Sequence, residues 1–545
     1  MNRMFFRRAI SAAVLVAALL PATAIEGPIS LSWRMWQKAN FSPTATPVVS
    51  DGTVYAPIGR KVYAVDAVTG SQRWAFPPGE ELDGDFRASV VVAGNALICP
   101  NTNRFVYAVS KTDGSHVWSY LMTAGIARNV LTDGDSVYIF TSDNRIVGLD
   151  AKTGARIWAE DYDLGTNVVG EPAISGDWIV FYNSLGELTG FNKTTRKRGW
   201  TMRVQTTNAD SAPFVFGNSV YVLSGTQVAR INPQTGRTVG RILTLPLEVS
   251  ANPVITKKGG VAVTPDAKVL FFNMDRGTID KKPLELGSYL RGGPSAAGDN
   301  VIVRTTNGGI YLIDPERKVV LWEYTTLPIP GAMRQQTTST SGGSGSGGSG
   351  GSGGGLTGGG QGGGTTTYVP MDYVSILGQV AVSGNSLFAI AEDGSIFAWG
   401  TDLGVDELGP RVTMMSPPEG SAISGKPDFD FVFRIEDSGT GVMSKSIQVM
   451  FGDQPMKFEY KPGGGYLYIK IRGEGSPVDG ANPPLNDGKK VILVSVADWA
   501  GNISEKKFFI TIDNSLKVIR ERTVDDRTGG PGVGGGSGGG GGGIG

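Results

Sequence analysis

The chain has 545 residues, with 50 basic and 50 acidic side chains, one histidine and one cysteine. That balance excludes a global field drawing it to nucleic acid or anionic lipid. The length leaves room for about two or three domains, and 80 glycines, 30 prolines and 9% aromatics describe an all-β chain rich in tight turns.

The first 24 residues read as a secretory signal. Arg3, Arg7 and Arg8 form a basic start, Ala9–Leu20 a short apolar run, and Ala22-Thr23-Ala24 a cleavage site, with the mature chain starting near Ile25. About twelve apolar residues are too few for a membrane anchor. No later stretch is long and apolar enough for a transmembrane helix. An exported protein is expected, periplasmic or at the cell surface. Cys99 has no partner for an intrachain disulfide, and its neighbours Ala96-Leu97-Ile98 suggest a buried strand position rather than a reactive thiol.

A unit of about 40 residues then repeats, most clearly in VYAVDAVTGSQRW (62–74), VYAVSKTDGSHVW (106–118) and IVGLDAKTGARIW (146–158). Aligned turn glycines fall at Gly52, Gly94, Gly134, Gly176, Gly217, Gly259, Gly298 and Gly384. The first seven are 39 to 42 residues apart and the last gap is 86. Ser341–Gly364 is almost pure Gly/Ser and has no side chains to bury, so the long gap reads as an insertion over 335–367. Eight repeats remain.

Each repeat switches pattern every five or six residues, as in TPVVS (46–50), TVYAP (53–57), KVYAVDA (61–67) and QRWAF (72–76). Four short strands at this spacing predict a propeller blade. In the last turn Asp66, Asp150 or Asn232 bonds the backbone ahead of it, while Gly70, Gly154 or Gly236 takes positive φ. Four residues later Trp74, Trp118, Trp158, Trp200 or Trp322 falls on the outer strand and fills the space between blades. Gly240 replaces the tryptophan in the fifth copy, the sixth copy has none, and Leu408 stands in the eighth. Ile29–Gln37, with Trp33 and Trp36, is predicted to supply the missing outer strand and close the ring. The propeller is thus expected over 25–408.

Between 409 and 515 the strands FDFVFRI (429–435), SIQVMF (446–451), YLYIKI (466–471), VILVSVA (491–497) and KFFITI (507–512) predict a β-sandwich. The tail from 516 to 545 is glycine-rich and expected to be disordered.

The A-x-D-x-x-x-G-x-x-x-W skeleton of Ala64–Trp74 resembles the PQQ-like, or quinoprotein-type, propeller repeat. The resemblance covers about residues 29–408 apart from the glycine insert. It implies a fold shared by quinone-dependent alcohol dehydrogenases and by non-catalytic propellers, including an eight-bladed lipoprotein of outer-membrane barrel assembly. Repeat number and mature size favour the non-catalytic branch, although its lipid-acceptor cysteine is absent. Asp437-Ser438-Gly439, Gly441-Val442 and Asp498-Trp499-Ala500-Gly501-Asn502 give the C-terminal segment a resemblance to bacterial Ig-like modules, which serve as spacers or adhesive units.

The dehydrogenases carry an adjacent cysteine pair, which one cysteine cannot form, and a calcium held beside a catalytic aspartate, for which no clustered set stands out. The expectation is therefore no enzyme, no cofactor, and no catalytic, cofactor-binding or metal residue. His116 reads as an exposed strand residue; alone it builds neither a zinc site nor a catalytic dyad. Asp437, Asp498 and Asn502 read as turn formers, with calcium as the alternative. Lys193, Arg196, Lys197 and Arg198 read as a solvated turn, with an acidic partner as the alternative. The expected role is an exported scaffold binding an envelope protein, with outer-membrane assembly as one version; the alternative is a surface adhesin with a glycan ligand. The sequence leaves the oligomeric state open.

Overall fold

The computed structural model describes residues 25, 28–39, 41–204, 212–217, 219–338, 365–401, 406–426, 428–473, 478 and 480–516. The segment read as a secretory signal, the Gly/Ser tract and the glycine-rich stretch after 516 lie outside them. Among the described residues no helix is long and apolar enough to cross a membrane.

Eight antiparallel sheets follow one another, and seven are built from consecutive strands. Blade 1 comprises Val48–Ser50, Thr53–Ile58, Lys61–Asp66 and Gln72–Phe76. Blades 2 to 7 repeat that order, ending on the outer strand Val319–Thr325 of blade 7, except that the outer edge of blade 6 is split into Thr278–Ile279 and Leu284–Glu285. Blade 8 has only three strands in sequence, Ala381–Ser383, Ser386–Ile390 and Ser395–Gly400. Its outer strand is Ser30–Trp36, paired antiparallel with Ser395–Gly400. The chain is an eight-bladed propeller closed by its N-terminal strand, as the missing tryptophan predicts. Met333–Thr338 and Thr365–Pro370 pair as a separate antiparallel ribbon that flanks the Gly/Ser tract.

The core is divided among the seams. Val62, Trp74, Leu97 and Val109 fill the seam between blades 1 and 2, and Val54, Val65, Phe388 and Ala398 fill the closing seam between blades 8 and 1. Twisted sheets facing each other require such a layer, because each blade has two apolar faces.

The tryptophans lock the seams from outside. Trp33 Nε1 donates to Ala67 O at 3.0 Å, Trp74 to Lys111 O at 3.1 Å, Trp118 to Ala151 O at 3.0 Å and Trp200 to Pro233 O at 2.8 Å. Each bond reaches the next blade's last turn, whose glycine lies under the indole. A Cβ at Gly154 (φ 71°) would lie 2.6 Å from the Trp118 ring, and Gly70, Gly114 and Gly236 face Trp33, Trp74 and Trp200 in the same way. Glycine is therefore required twice, by backbone conformation and by the ring.

Where the pattern lapses, other side chains substitute. Blade 5 has Gly240, and the neighbouring Arg241 reaches Arg276 O and lies against Gly277. Blade 4 has Arg196 at the glycine position (φ 57°), and its guanidinium lies 5.5 Å from the Trp158 ring centre. Trp158 itself is buried but precedes its blade's short outer strand, Tyr162–Asp163.

After residue 409 two sheets share one core. One orders Arg411–Ser416, Phe429–Glu436, Tyr466–Ile471 and Glu459–Lys461; the other orders Ala422–Ile423, Ile503–Ile512, Gly488–Ala497, Gln448–Phe451 and Gln454–Pro455. Phe431, Phe433 and Leu467 of the first meet Val449, Val494 and Phe508 of the second.

Two outcomes follow. Deleting residues 25–38 should strongly destabilise the propeller, because blade 8 loses its outer strand; an unchanged thermal midpoint would contradict the closure. Gly154→Ala should cost about 2 kcal/mol or more, given left-handed strain of about 1–2 kcal/mol plus the collision with Trp118. Denaturant unfolding beside Gly134→Ala, where the added Cβ meets open space at φ 101°, separates the two contributions.

Candidate functional site

The loops entering the innermost strands converge on the propeller axis around a cavity of about 910 Å³. A chain of hydrogen bonds runs around its mouth, each from a backbone N–H to a side chain one blade on. Gln379 donates to Thr46 Oγ1 (2.9 Å), Thr46 to Ser89 Oγ (3.0 Å), Ser89 to Asn129 Oδ1 (3.1 Å) and Asn129 to Glu171 Oε2 (2.9 Å). Ala212 N–H continues the pattern to Asn252 Oδ1 at 3.0 Å. Innermost strands have no neighbour on the axial side to satisfy such groups, so the side chains do so.

Glu171 is the charged member of this chain of contacts. It is open to the water of the cavity, but enclosure by the mouth raises its carboxyl above the usual range, opposed by the Asn129 N–H and by Arg128. Arg304 is buried between blades 7 and 8 and donates to the carbonyls of Gly293 (3.1 Å), Ile376 (3.2 Å), Leu377 (3.3 Å) and Gly378. Burial, then Arg291, pushes it down to about 10. It clamps two blades and has no carboxylate beside it among the described ion pairs. At blade 5 the lining turns apolar, with Val215 44% and Phe216 37% exposed.

A second group lies where the propeller meets the sandwich. Asp437 and Asp498 come together as their turns bring them, joined by Asp406, and oxygens of all three lie within 4.8 Å of one another. Sequence reasoning misses Asp406, which precedes the sandwich by a short linker and carries no motif. These are the residues that could share a cation. Their oxygens already have turn donors. Asp437 Oδ2 accepts from Gly439 N–H (3.1 Å) and Gly441 N–H (2.6 Å), Asp406 Oδ2 from Thr440 N–H (2.7 Å), and Asp498 from Asn502 N–H (2.8 Å). Burial, then the charges of Asp406 and Asp498 against those donors, pushes Asp437 up to about 6.

The remaining singled-out residues are placed plainly. His116 is exposed at the start of an outer strand. Cys99 is fully buried, and burial pushes its thiol well up. Three of the four basic residues in the blade 4 turn make intramolecular contacts: Lys193 pairs with Asp133, Arg196 donates to Glu160 O and Arg198 to Leu164 O.

A sequence profile described as outer membrane protein assembly factor BamB matches residues 30–182 and 130–324, more than half of the chain. The chain belongs to this family. Among curated relatives of this BamB-type propeller, the assembly factor BamB of Kangiella koreensis is 28% identical over 160 residues, 28% of this chain and 40% of its own length. Quinohemoprotein alcohol dehydrogenase ADH IIB of Pseudomonas putida is 27% identical over 182 residues, 32% of this chain but only 22% of the enzyme. Tetrathionate hydrolase of Acidithiobacillus ferrooxidans is 24% identical over 235 residues, 37% of this chain and 46% of the enzyme. The chain thus spans less than half the length of each of these relatives.

These relatives correct the expectation that the chain is no enzyme. That expectation rests on one missing cysteine pair and on the lack of a local acidic motif. Neither bears on a site assembled at the axis from residues a blade apart, such as Asn129 and Glu171. The described lining does not fit a calcium-bound quinone of the kind the resemblance implies: among the described residues its acids are Asp85 and Glu171, Asp85 neighbours Arg60 and Arg87, and the described three-acid group lies at the sandwich.

The raised pKa of Asp437 sets a pH dependence. The folded state holds its proton more tightly than the unfolded state, so the stabilisation is fully present below about 3.8 and is lost as pH rises through about 6. Thermal midpoints should therefore fall between about pH 4 and 6 and level off above that, and Asp437→Asn should flatten that segment of the profile.

Proposed function

We propose that this is an exported cell-envelope protein whose axial mouth receives a segment of a protein partner, in outer-membrane protein assembly. The observation that carries this reading is the mixed lining of the mouth. Exposed Val215 and Phe216 stand beside a rim where Thr46, Ser89, Asn129 and Glu171 accept backbone N–H groups of the neighbouring blades. An apolar patch with a polar rim fits a peptide surface, since it offers buried area without demanding a matching charge. The assembly factors among its relatives support the compartment and the class of partner.

The test uses the mature chain as bait in outer-membrane envelope extracts, beside Phe216→Glu with unchanged circular dichroism. Recovery of barrel-assembly components by the parent, reduced at least tenfold in the variant, is the expected result. Their absence from both would remove the assembly reading.

A second reading places a reaction in the same cavity, and the dehydrogenase and hydrolase relatives favour it. Glu171, whose carboxyl is raised by enclosure in the mouth, is the group there suited to proton transfer. Hydrolysis of tetrathionate by the purified chain, abolished in Glu171→Gln, would establish this reading, and no turnover would remove it.

A further inference from the structure

We propose that the sandwich loop Asp437–Gly441 is the docking turn that blade 8 lacks, which makes the sandwich a clasp on the ring closure rather than a tethered spacer. Blade 8 draws its outer strand from the other end of the chain, so no turn joins that strand to Ser395–Gly400. The tryptophan of blade 7 therefore has no turn on the next blade to receive it. Yet Trp322 is fully buried, and its Nε1 donates to Thr440 O at 2.8 Å. A buried indole N–H left without a partner is destabilising; the sandwich supplies the acceptor.

The loop copies the blade turn in chemistry as well as position. Asp66 accepts the N–H groups of Val68 and Thr69 in blade 1, and Asp437 accepts those of Gly439 and Gly441. Both turns present a glycine with positive φ to the preceding blade. At Gly441 (φ 89°) a Cβ would lie 2.8 Å from Glu323 O and 3.1 Å from the Tyr324 ring, beside Trp322 on the same strand. The register differs: the accepting carbonyl follows the aspartate by one residue in blade 1 and by three in the sandwich.

The same loop also holds the closing strand. Leu31 N–H donates to Gly439 O at 3.1 Å, so residues 439–441 touch both the outer strand of blade 7 and the N-terminal strand of blade 8. Flanking contacts repeat the tie. Ser444 N–H donates to Glu323 Oε1 (2.6 Å), Thr325 Oγ1 to Pro462 O (2.9 Å), and Trp499 packs against the apolar seam between blades 7 and 8.

Amide hydrogen exchange on the full chain tests this, comparing Gly441→Ala with Gly420→Ala. Gly420 lies in a sandwich turn at φ 80° with open space around it and donates its N–H to Phe509 O, so it carries similar backbone strain without the propeller contact. Gly441→Ala should accelerate exchange about tenfold in Ser30–Trp36 and Val319–Thr325, whereas Gly420→Ala should leave those strands at the parent rate. Equal effects from the two variants, or propeller strands untouched by Gly441→Ala, would overturn the proposal. Should Gly441→Ala fail to fold, calorimetry of the parent decides: one transition for both parts is expected, and two independent transitions would overturn it.

Discussion

An indole laid on the glycine of the next blade's turn is the contact on which the architecture depends. Neighbouring blades share no backbone ladder, so apolar packing and a few directional bonds must fix their angle. The ring supplies area and the indole N–H supplies direction. At Gly70, Gly114, Gly154 and Gly236 the glycine makes the contact selective, because a Cβ there would collide with the ring. Repeated at four of the eight seams, it sets the spacing that lets the ring close on the strand from the N-terminus.

This contact is also why the fold is readable in the sequence. Aspartate, glycine and tryptophan at fixed offsets are one local device, and a period of about 40 residues is its recurrence. The absence of a tryptophan near residue 408 points to Trp33, which occupies that place with its bond to Ala67 O. Substitutions hide the device elsewhere. Arg241 beside Gly277 and Arg196 beneath Trp158 perform similar spacing with chemistry no motif search links to tryptophan.

The axial mouth is not legible for the opposite reason. Its contacts join residues one blade apart, and the acceptor changes around the mouth: threonine, serine, asparagine or glutamate. Any acceptor of suitable reach satisfies an N–H, so the blade spacing recurs without a fixed residue type to mark it. Asp406 escapes notice similarly, since its place beside Asp437 and Asp498 comes from the sandwich docking rather than from its neighbours in sequence.

Separation of the belt from the mouth bears directly on function. The outer tryptophans hold the blades whatever lines the axis, so the inner positions are under little constraint from packing and can be altered without dismantling the ring. A propeller of this kind can therefore share its repeat with enzymes and with assembly factors alike, and the repeat does not discriminate between them. In this chain the inner positions include the exposed Val215 and Phe216 in the same mouth as Glu171. Side chains at the axis are where differences between such propellers can arise, while the tryptophans and glycines of the belt hold those positions facing one another.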